Sequence, residues 1–513
     1  MYLPTVEALK LDITPEASEL LTRISRILAE QGIQSYLVGG FVRDMMLDSA
    51  TDDIDIAVDA NALKIAADMA KTLGGRYVPL DKENGVGRVV LYDHSGSKWE
   101  IDFATLQGDI SDDLARRDFT IDAMAVELNR EMGTHISIDD IIDPFLGQDD
   151  LDAGIVRVVS KDSFKDDPVR LLRGIRLAAE LGFTIEGDTQ ELIQSNSKLI
   201  TTVAGERVRE ELVRLLAVAG TGNWLEYLDE SGLLTALIPE MAPAKGVDQP
   251  KVHVWDVFEH SIQTVRAVEF IFRETGLDYA GKEILEAVPW SEDLIRHFDT
   301  EVSSGSTRRA LLKLAALLHD IAKPQTKAID ETGRARFLGH PQDGADMTAA
   351  IMERLRFSTR EIKLVELLIK YHLRPTQMSH EDLPSQRAIY RYFRDTGDTG
   401  IDILFLSLAD HLATRGAELD TGQWQEHCRM VEYVINKQSE EESLTAPLKL
   451  IDGHDIIRTF GMNQGPKVGQ LLEAVKEAQA TGEVNSREQA IDYAKRWLDE
   501  ASQHLEERTQ GET

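Results

Sequence analysis

Two acids one residue apart hold the first piece of chemistry in this sequence. Asp53 and Asp55 stand at the start of the apolar run Ile54–Val58. Residues two apart on a strand share a face. The carboxylates therefore lie side by side and repel each other unless a cation sits between them. Mg²⁺ suits that place, because it takes one or two carboxylates and completes its shell with substrate phosphates. A phosphate cradle precedes them. Ser35–Val38 reads as a short apolar strand, Gly39-Gly40 as a turn, and Phe41–Leu47 as a helix carrying Arg43 and Asp44. A strand that turns through two glycines into a helix aims free backbone N–H groups at whatever lies above the turn. Singly, the glycines are a tight turn and the acids are solvated. Together they specify a place where metal and phosphate meet.

A second constellation lies further on. His260 sits in WDVFEHS, and His319-Asp320 near the end of ALLKLAALLHDIAKP. His340 follows Gly339, His372 sits in KYHLRP, and Asp410 in SLADH. A lone helical histidine is ordinarily a satisfied or solvated residue. A histidine, a His-Asp pair and a distant Asp on successive apolar helices suit a divalent transition metal: Mn, Ni, Co, Fe or Zn. The set resembles the HD phosphohydrolase superfamily, which implies His260, His319, Asp320 and Asp410 as ligands. Lys323 is placed to neutralise a phosphate. His340 and His372 would hold a second metal or the substrate. The bland alternative is a decayed HD fold kept as scaffold.

The rest of the chain must position these groups. Its 513 residues imply two to four domains, and 42% hydrophobic residues suffice for real cores. One cysteine, Cys428, excludes an intrachain disulfide framework and a multi-cysteine zinc site, and fits a reducing cytosol. The start, MYLPTVEALKLD, has neither a basic nor an apolar leader region, and no apolar run reaches membrane-spanning length. A soluble cytoplasmic protein is expected, with no oligomeric state specified. Acids outnumber bases 89 to 56, a net charge of −33. A polyanion would need a local basic face inside that field.

In order, residues up to about 30 read as an amphipathic helix with Leu20, Leu21, Ile24 and Ile27 on one stripe. A helix over Asn61–Leu73 and strands near Arg88–Tyr92 and Trp99–Phe103 follow, with a mobile turn at Lys82–Gly87. Asp102 is either a third acid beside Asp53 and Asp55 or an exposed strand residue. Lys165–Phe183 has one strong helical period. Asp167 precedes Pro168 there, so its bland role is an N-cap worth about 1 kcal/mol. Arg170, Arg173 and Arg176 form a drifting basic row. Glu274–Ser306 reads as a lid or spacer.

Gly39-Gly40-Phe41-Val42-Arg43-Asp44 and Asp53-Ile54-Asp55 resemble the GG-x-V-R-D and D-x-D motifs of class II nucleotidyltransferases, the tRNA CCA-adding enzymes and bacterial poly(A) polymerases. Arg116-Arg117-Asp118-Phe119-Thr120-Ile121-Asp122 is similar to that family's R-R-D-F-T-I-N motif, with Asp122 in place of Asn. The resemblance implies that Arg116, its first arginine, touches the nucleotide. Asp143–Gly147 and Asp150-Leu151 match its turn before a closing strand, Ile155–Val159. Asp166-Asp167, Arg170 and Arg173 resemble E-D-x-x-R-x-x-R, with Asp166 in place of Glu. The stretch from Glu206 to Leu216 is similar to its neck helix. Five motifs stand in the family's order over residues 33–217.

The resemblance implies an α+β fold: a small mixed-sheet nucleotidyltransferase head at 16–160, then a largely all-α remainder. That remainder divides into a neck for base recognition and RNA binding at 161–220, a helical body with the HD domain at 221–435, and a C-terminal helical tRNA-binding region at 446–505. It implies Asp53 and Asp55 as catalytic Mg²⁺ ligands. Gly39, Gly40, Arg43, Arg116, Asp167, Arg170, Arg173 and Arg176 would bind the nucleotide. The expected activity is template-independent addition of CCA to tRNA from CTP and ATP, with HD phosphohydrolase activity beside it. The alternatives are an A-adding, CC-adding or poly(A)-adding relative, or an HD phosphohydrolase with a non-catalytic RNA-binding head.

Overall fold

The computed structural model describes residues 10–12, 14–49, 51–92, 98–128, 135–250, 253–303, 305–378, 383–443 and 450–510. Residues 1–9, the opening of the 446–505 region and residues 511–513 lie outside them. The chain forms two compact units, Met1–Leu215 with Tyr227–Leu237, and Leu216–Glu226 with Ile238–Thr513.

The first unit is built on a seven-stranded mixed sheet. Its order is Arg76–Asp81, Val86–Tyr92, Lys98–Thr105, Asp53–Val58, Ser35–Val38, Ala125–Glu127, Ile141–Ile142. The Asp53–Val58 strand buries Ile54, Ile56, Ala57 and Val58. It runs parallel to Lys98–Thr105, placing Asp53 opposite Glu100 and Asp55 opposite Asp102. The next strand, antiparallel, sets Arg88 opposite Asp102.

Several elements differ from the sequence reading. The first helix, Pro15–Glu30, buries Ala17, Leu21, Ile24 and Leu28, while Ile27 is half-buried. The stripe follows the 3.6-residue period to Leu28 rather than stopping one position short. Arg76–Asp81 is a further strand, which the sequence does not signal because an edge strand with an internal proline shows no clean alternation. Of the expected turn Lys82–Gly87, residues 82–85 form the hairpin turn and Val86 and Gly87 open the next strand, and the Asp81 carboxylate accepts from the Glu83 and Asn84 N–H groups. Only Ile155–Val156 of the expected closing strand is extended, and it pairs with Thr184–Ile185 outside the main sheet. Lys165–Phe183 is broken. Ser163–Asp166 is one turn, Asp167 is extended (φ −146°), and the helix runs Arg170–Leu181. The ring of Pro168 bars the residue before it from helical geometry.

The second unit is helical. Val257–Ile271, Arg308–Leu318, His340–Arg354, Thr359–Tyr371 and Thr399–Arg415 pack around a common core. Arg308–Leu318 is buried nearly all round, and its one mid-helix cation, Lys313, is buried and paired with Glu269 at 3.2 Å. The Glu274–Ser306 stretch is packed rather than a lid. It contains helices Lys282–Glu286 and Glu292–Asp299, and buries Val288, Leu294 and Phe298, the last against Phe272 and Phe405. Gly453–Phe460, Pro466–Ala480 and Arg487–Gln510 share a core of Ile456, Leu471, Val475, Ala478, Ala490 and Ala494. No described helix is long and apolar enough to cross a membrane.

Candidate active site and candidate metal centre

Gly39 leaves the Ser35–Val38 strand at φ +71°, a conformation L side chains avoid. Space forbids a side chain as well. A Cβ there would lie 2.6 Å from an Arg117 terminal nitrogen and 3.1 Å from Asp55 Oδ2. The turn therefore brings bare backbone against Asp55 and Arg117. Gly40 opens the short helix Gly40–Met46, whose Arg43 pairs with Asp44 at 2.7 Å and Asp122 at 2.6 Å.

Asp53 and Asp55 share one face. Burial pushes the Asp55 carboxyl up to about 7 from 3.8; Arg117 opposes that rise, while Asp53 and Asp102 add to it. Burial and Asp102 raise Asp53 in the same direction. Two acids that resist ionising beside each other fit a place for a divalent cation. Asp102 shares the face but is already gripped by Arg88, whose Nε and Nη2 donate to its two oxygens at 2.7 and 2.8 Å.

The nucleotide candidates divide. Arg116 is exposed, and its carbonyl accepts from Arg170 Nη2 at 2.8 Å. Arg170 Nη1 also donates to Ser163 Oγ at 3.0 Å. Arg173 pairs with Asp118 at 2.7 Å and approaches Asp122 at 3.9 Å. Asp167 does not share a helical face with Arg170. Its carboxylate takes both Arg207 terminal nitrogens, at 3.0 and 2.7 Å. Its contact to the Val169 N–H is long, 3.4 Å, so the N-cap role is weak. Arg176 is the member of the row that leaves the site. It is 2% exposed and held by Glu211 at 2.5 Å and by Glu180. Through Glu211 it braces the helix against Gly205–Ala217.

In the second unit the histidines and acids converge. His260 Nε2 lies 3.3 Å from His319 Nε2 and 3.0 Å from Asp410 Oδ1. Asp320 joins two clusters. Oδ2 lies 3.2 Å from His319 Nε2 and 3.6 Å from His260 Nε2, and Oδ1 lies 3.3 Å from His340 Nε2 and 3.9 Å from His372 Nε2. His319, His340 and His372 each use Nδ1 on a backbone carbonyl, of Ala316 (2.8 Å), Phe337 (2.6 Å) and Ile369 (2.6 Å). A carbonyl only accepts, so each Nδ1 carries a proton and each Nε2 is turned to the centre. Burial works against the charge on Asp320, but His319 and Lys323 hold its carboxyl well below the usual range. Neither Asp320 oxygen nor His340 Nε2 has a hydrogen-bond partner of good geometry among the described residues, although Lys323 Nζ comes to 2.5 Å. Converging acceptors with so few donors fit a divalent cation. A cavity of about 360 Å³ opens over Asp320, His340, His372 and Asp410.

Residues 35–157 match the poly(A) polymerase head domain, 182–245 the probable RNA- and SrmB-binding site of polymerase A, and 257–415 the HD domain. The chain is 32% identical to the A-adding tRNA nucleotidyltransferase of Deinococcus radiodurans, over 90% of this chain and 95% of that one. This chain belongs to the tRNA nucleotidyltransferase family. A CC-adding member from Thermus thermophilus is 31% identical, over 90% of this chain and 93% of its own. The Thermotoga maritima CCA-adding enzyme complexed with tRNA shares the fold at a TM-score of 0.60 and 23% identity, covering 95% of this chain and 97% of its own.

For a nucleotidyltransferase, two residues at the head site escaped the sequence reading. Arg117, not Arg116, faces Gly39 and Asp55, and its Nε is buried without a hydrogen-bond partner. Adjacent arginines in one turn differ only in direction, and the sequence carries no sign of that. In the sequence Arg88 is only a strand residue, because its hold on Asp102 depends on strand register.

Proposed function

We propose that this nucleotidyltransferase adds C and A residues from CTP and ATP to the 3′ end of tRNA, building CCA without a nucleic-acid template. The carrying observation is the Asp53–Asp55 face set against the bare Gly39 turn with Arg117 beside it. The terminal ribose hydroxyl attacks the α-phosphate, the new P–O bond forms, and pyrophosphate leaves with the electron pair. Asp53 and Asp55 are the residues that would hold Mg²⁺, which supplies charge neutralisation and eases loss of the hydroxyl proton. The turn's N–H groups, Arg43 and Arg117 orient the triphosphate, and Arg173 supports them through Asp118 and Asp122. Positioning and electrostatics suffice, and no covalent intermediate is needed.

Asp167 and Arg170 read the base. A carboxylate accepts and a guanidinium donates. Cytosine and adenine both offer an amino donor beside a ring-nitrogen acceptor, whereas uracil and guanine offer the reverse. The incoming base takes Asp167 from Arg207.

A second reading is favoured by one observation. Two relatives that match along most of this chain are named A-adding and CC-adding. Substrate tRNAs ending before CCA, after C and after CC, each offered single nucleotides, separate the cases. Full CCA addition incorporates CTP into the first two and ATP into the third. Addition of C alone or A alone assigns a divided activity, and long A runs assign a poly(A) polymerase.

The HD centre hydrolyses a phosphoester, a 2′,3′-cyclic or terminal phosphate on RNA. His260, His319, Asp320 and Asp410 would hold a divalent transition metal, with His340 and His372 as a second set, and such a metal supplies an acidified water. Lys323 lines the cavity and offsets phosphate charge. His319→Ala should abolish hydrolysis and leave CTP incorporation intact. An absence of bound metal, with no hydrolysis in Mn²⁺, Ni²⁺ or Co²⁺, would return the domain to scaffold.

A further inference from the structure

The mouth of the HD cavity carries more than phosphate hydrolysis requires. A hairpin, Lys327–Ile329 with Ala335–Phe337, stands beside it. Its second strand is tied to the centre, because the Phe337 carbonyl accepts from His340 Nδ1. Arg336 lies within that strand and Arg334 and Leu338 flank it, and all three line the cavity. Phe337, between them, is buried. Arg336 gives its Nε to Asp330 Oδ2 at 2.9 Å, which leaves its terminal nitrogens available. The Arg334 guanidinium has no partner among the described residues, although the chain holds 89 acids. Leu338 is 84% exposed and Ile329, on the partner strand, 63%. A cavity of about 360 Å³ is also larger than one phosphate needs.

We infer that this hairpin selects a polynucleotide end over small phosphoesters. The reacting phosphate goes to the floor, the terminal base lies on Leu338, and the next, unreacting phosphodiester binds Arg334 and Arg336. Guanidinium forks match phosphate oxygens, and an exposed aliphatic face suits a base that has lost its stacking partner. The inference rests on the phosphohydrolase reading and assigns its substrate class.

The test compares the parent with Arg334→Ala/Arg336→Ala and with Leu338→Ser, all surface changes whose folding a thermal melt checks. In Mn²⁺, kcat/KM is measured for a dinucleotide 3′-phosphate and for 4-nitrophenyl phosphate. Binding of a labelled trinucleotide 3′-phosphate is measured separately in EDTA, so that one readout needs no metal. The ratio of the two kcat/KM values should fall at least about tenfold in the double arginine variant, mainly through KM, with metal-free affinity falling in step. Leu338→Ser should lower the ratio less. An unchanged ratio and unchanged affinity, or an equal fall for both esters, overturns the inference while leaving the phosphohydrolase reading standing. Hydrolysis of neither ester by the parent overturns that reading instead, and the EDTA binding then decides whether the rim holds an RNA end.

Discussion

At the scale of single residues, the head site trades stability for readiness. The folded Asp55 carboxyl keeps its proton up to about pH 7, whereas its ordinary value is 3.8. Folding therefore takes up a proton between those values. The penalty for burying this charge is complete above pH 7 and relaxes as pH falls toward 4. Asp55→Asn should raise the melting temperature of the metal-free protein at pH 8, and the gain should shrink as pH falls. Mg²⁺ should stabilise the parent at pH 8 and not the Asn variant. A lower melting temperature for Asp55→Asn at pH 8 would remove the strained-acid account. Activity gives a second check. Asp53→Ala and Asp55→Ala should each abolish nucleotide addition with tRNA affinity nearly intact. Substantial activity in Mg²⁺ from either variant contradicts their role.

At the scale of elements, what was legible depended on sequence distance. The strand, the glycine turn, the helix and the acid pair lie within residues 35–59, so local periodicity and turn chemistry expose them. The candidate HD ligands are far apart, but His260 and Asp410 sit in strongly apolar helices, and the His319-Asp320 pair that directly follows another helix is conspicuous. The resemblance supplied their grouping. Pairings set by tertiary register were invisible: Arg88 with Asp102, Arg176 with Glu211, and Asp167 with Arg207 across 40 residues. The break at Asp167 was readable from Pro168, but the amphipathic period ran across it and prevailed. That break decides a prediction. Released from the helix, Asp167 reaches Arg207 through a partly exposed ion pair, worth only about 0–1 kcal/mol. Asp167→Ser should therefore leave the melting temperature nearly unchanged. If the residue reads the base, the same variant loses a partner for the amino group. An unpaired polar group costs roughly 1–3 kcal/mol, so preference for CTP over UTP should drop by about ten- to a hundredfold. Parent-like preference would show that Asp167 serves only Arg207.

At the scale of the whole molecule, the net charge of −33 has to be reconciled with a polyanionic substrate. Two electrostatic effects oppose each other over different ranges. The global field repels tRNA and acts over the Debye length, about 30 Å at 0.01 M salt and about 10 Å at 0.1 M. Local arginine contacts to phosphates act at a few ångströms and weaken steadily as counterion release loses its drive. Rising salt first removes repulsion and only then erodes contact. The kcat/KM for tRNA should accordingly pass through a maximum near 0.1 M, where a net basic enzyme would show a continuous fall. The turnover number at saturating tRNA and CTP should stay nearly flat over the same range, because the bound complex has already met the repulsion. Stopped-flow association of labelled tRNA between about 0.01 and 0.5 M salt separates the two ranges. A rate that only falls from the lowest salt upward would mean that a basic face outweighs the field at long range, and the acidic surface would then have to lie away from the path of approach.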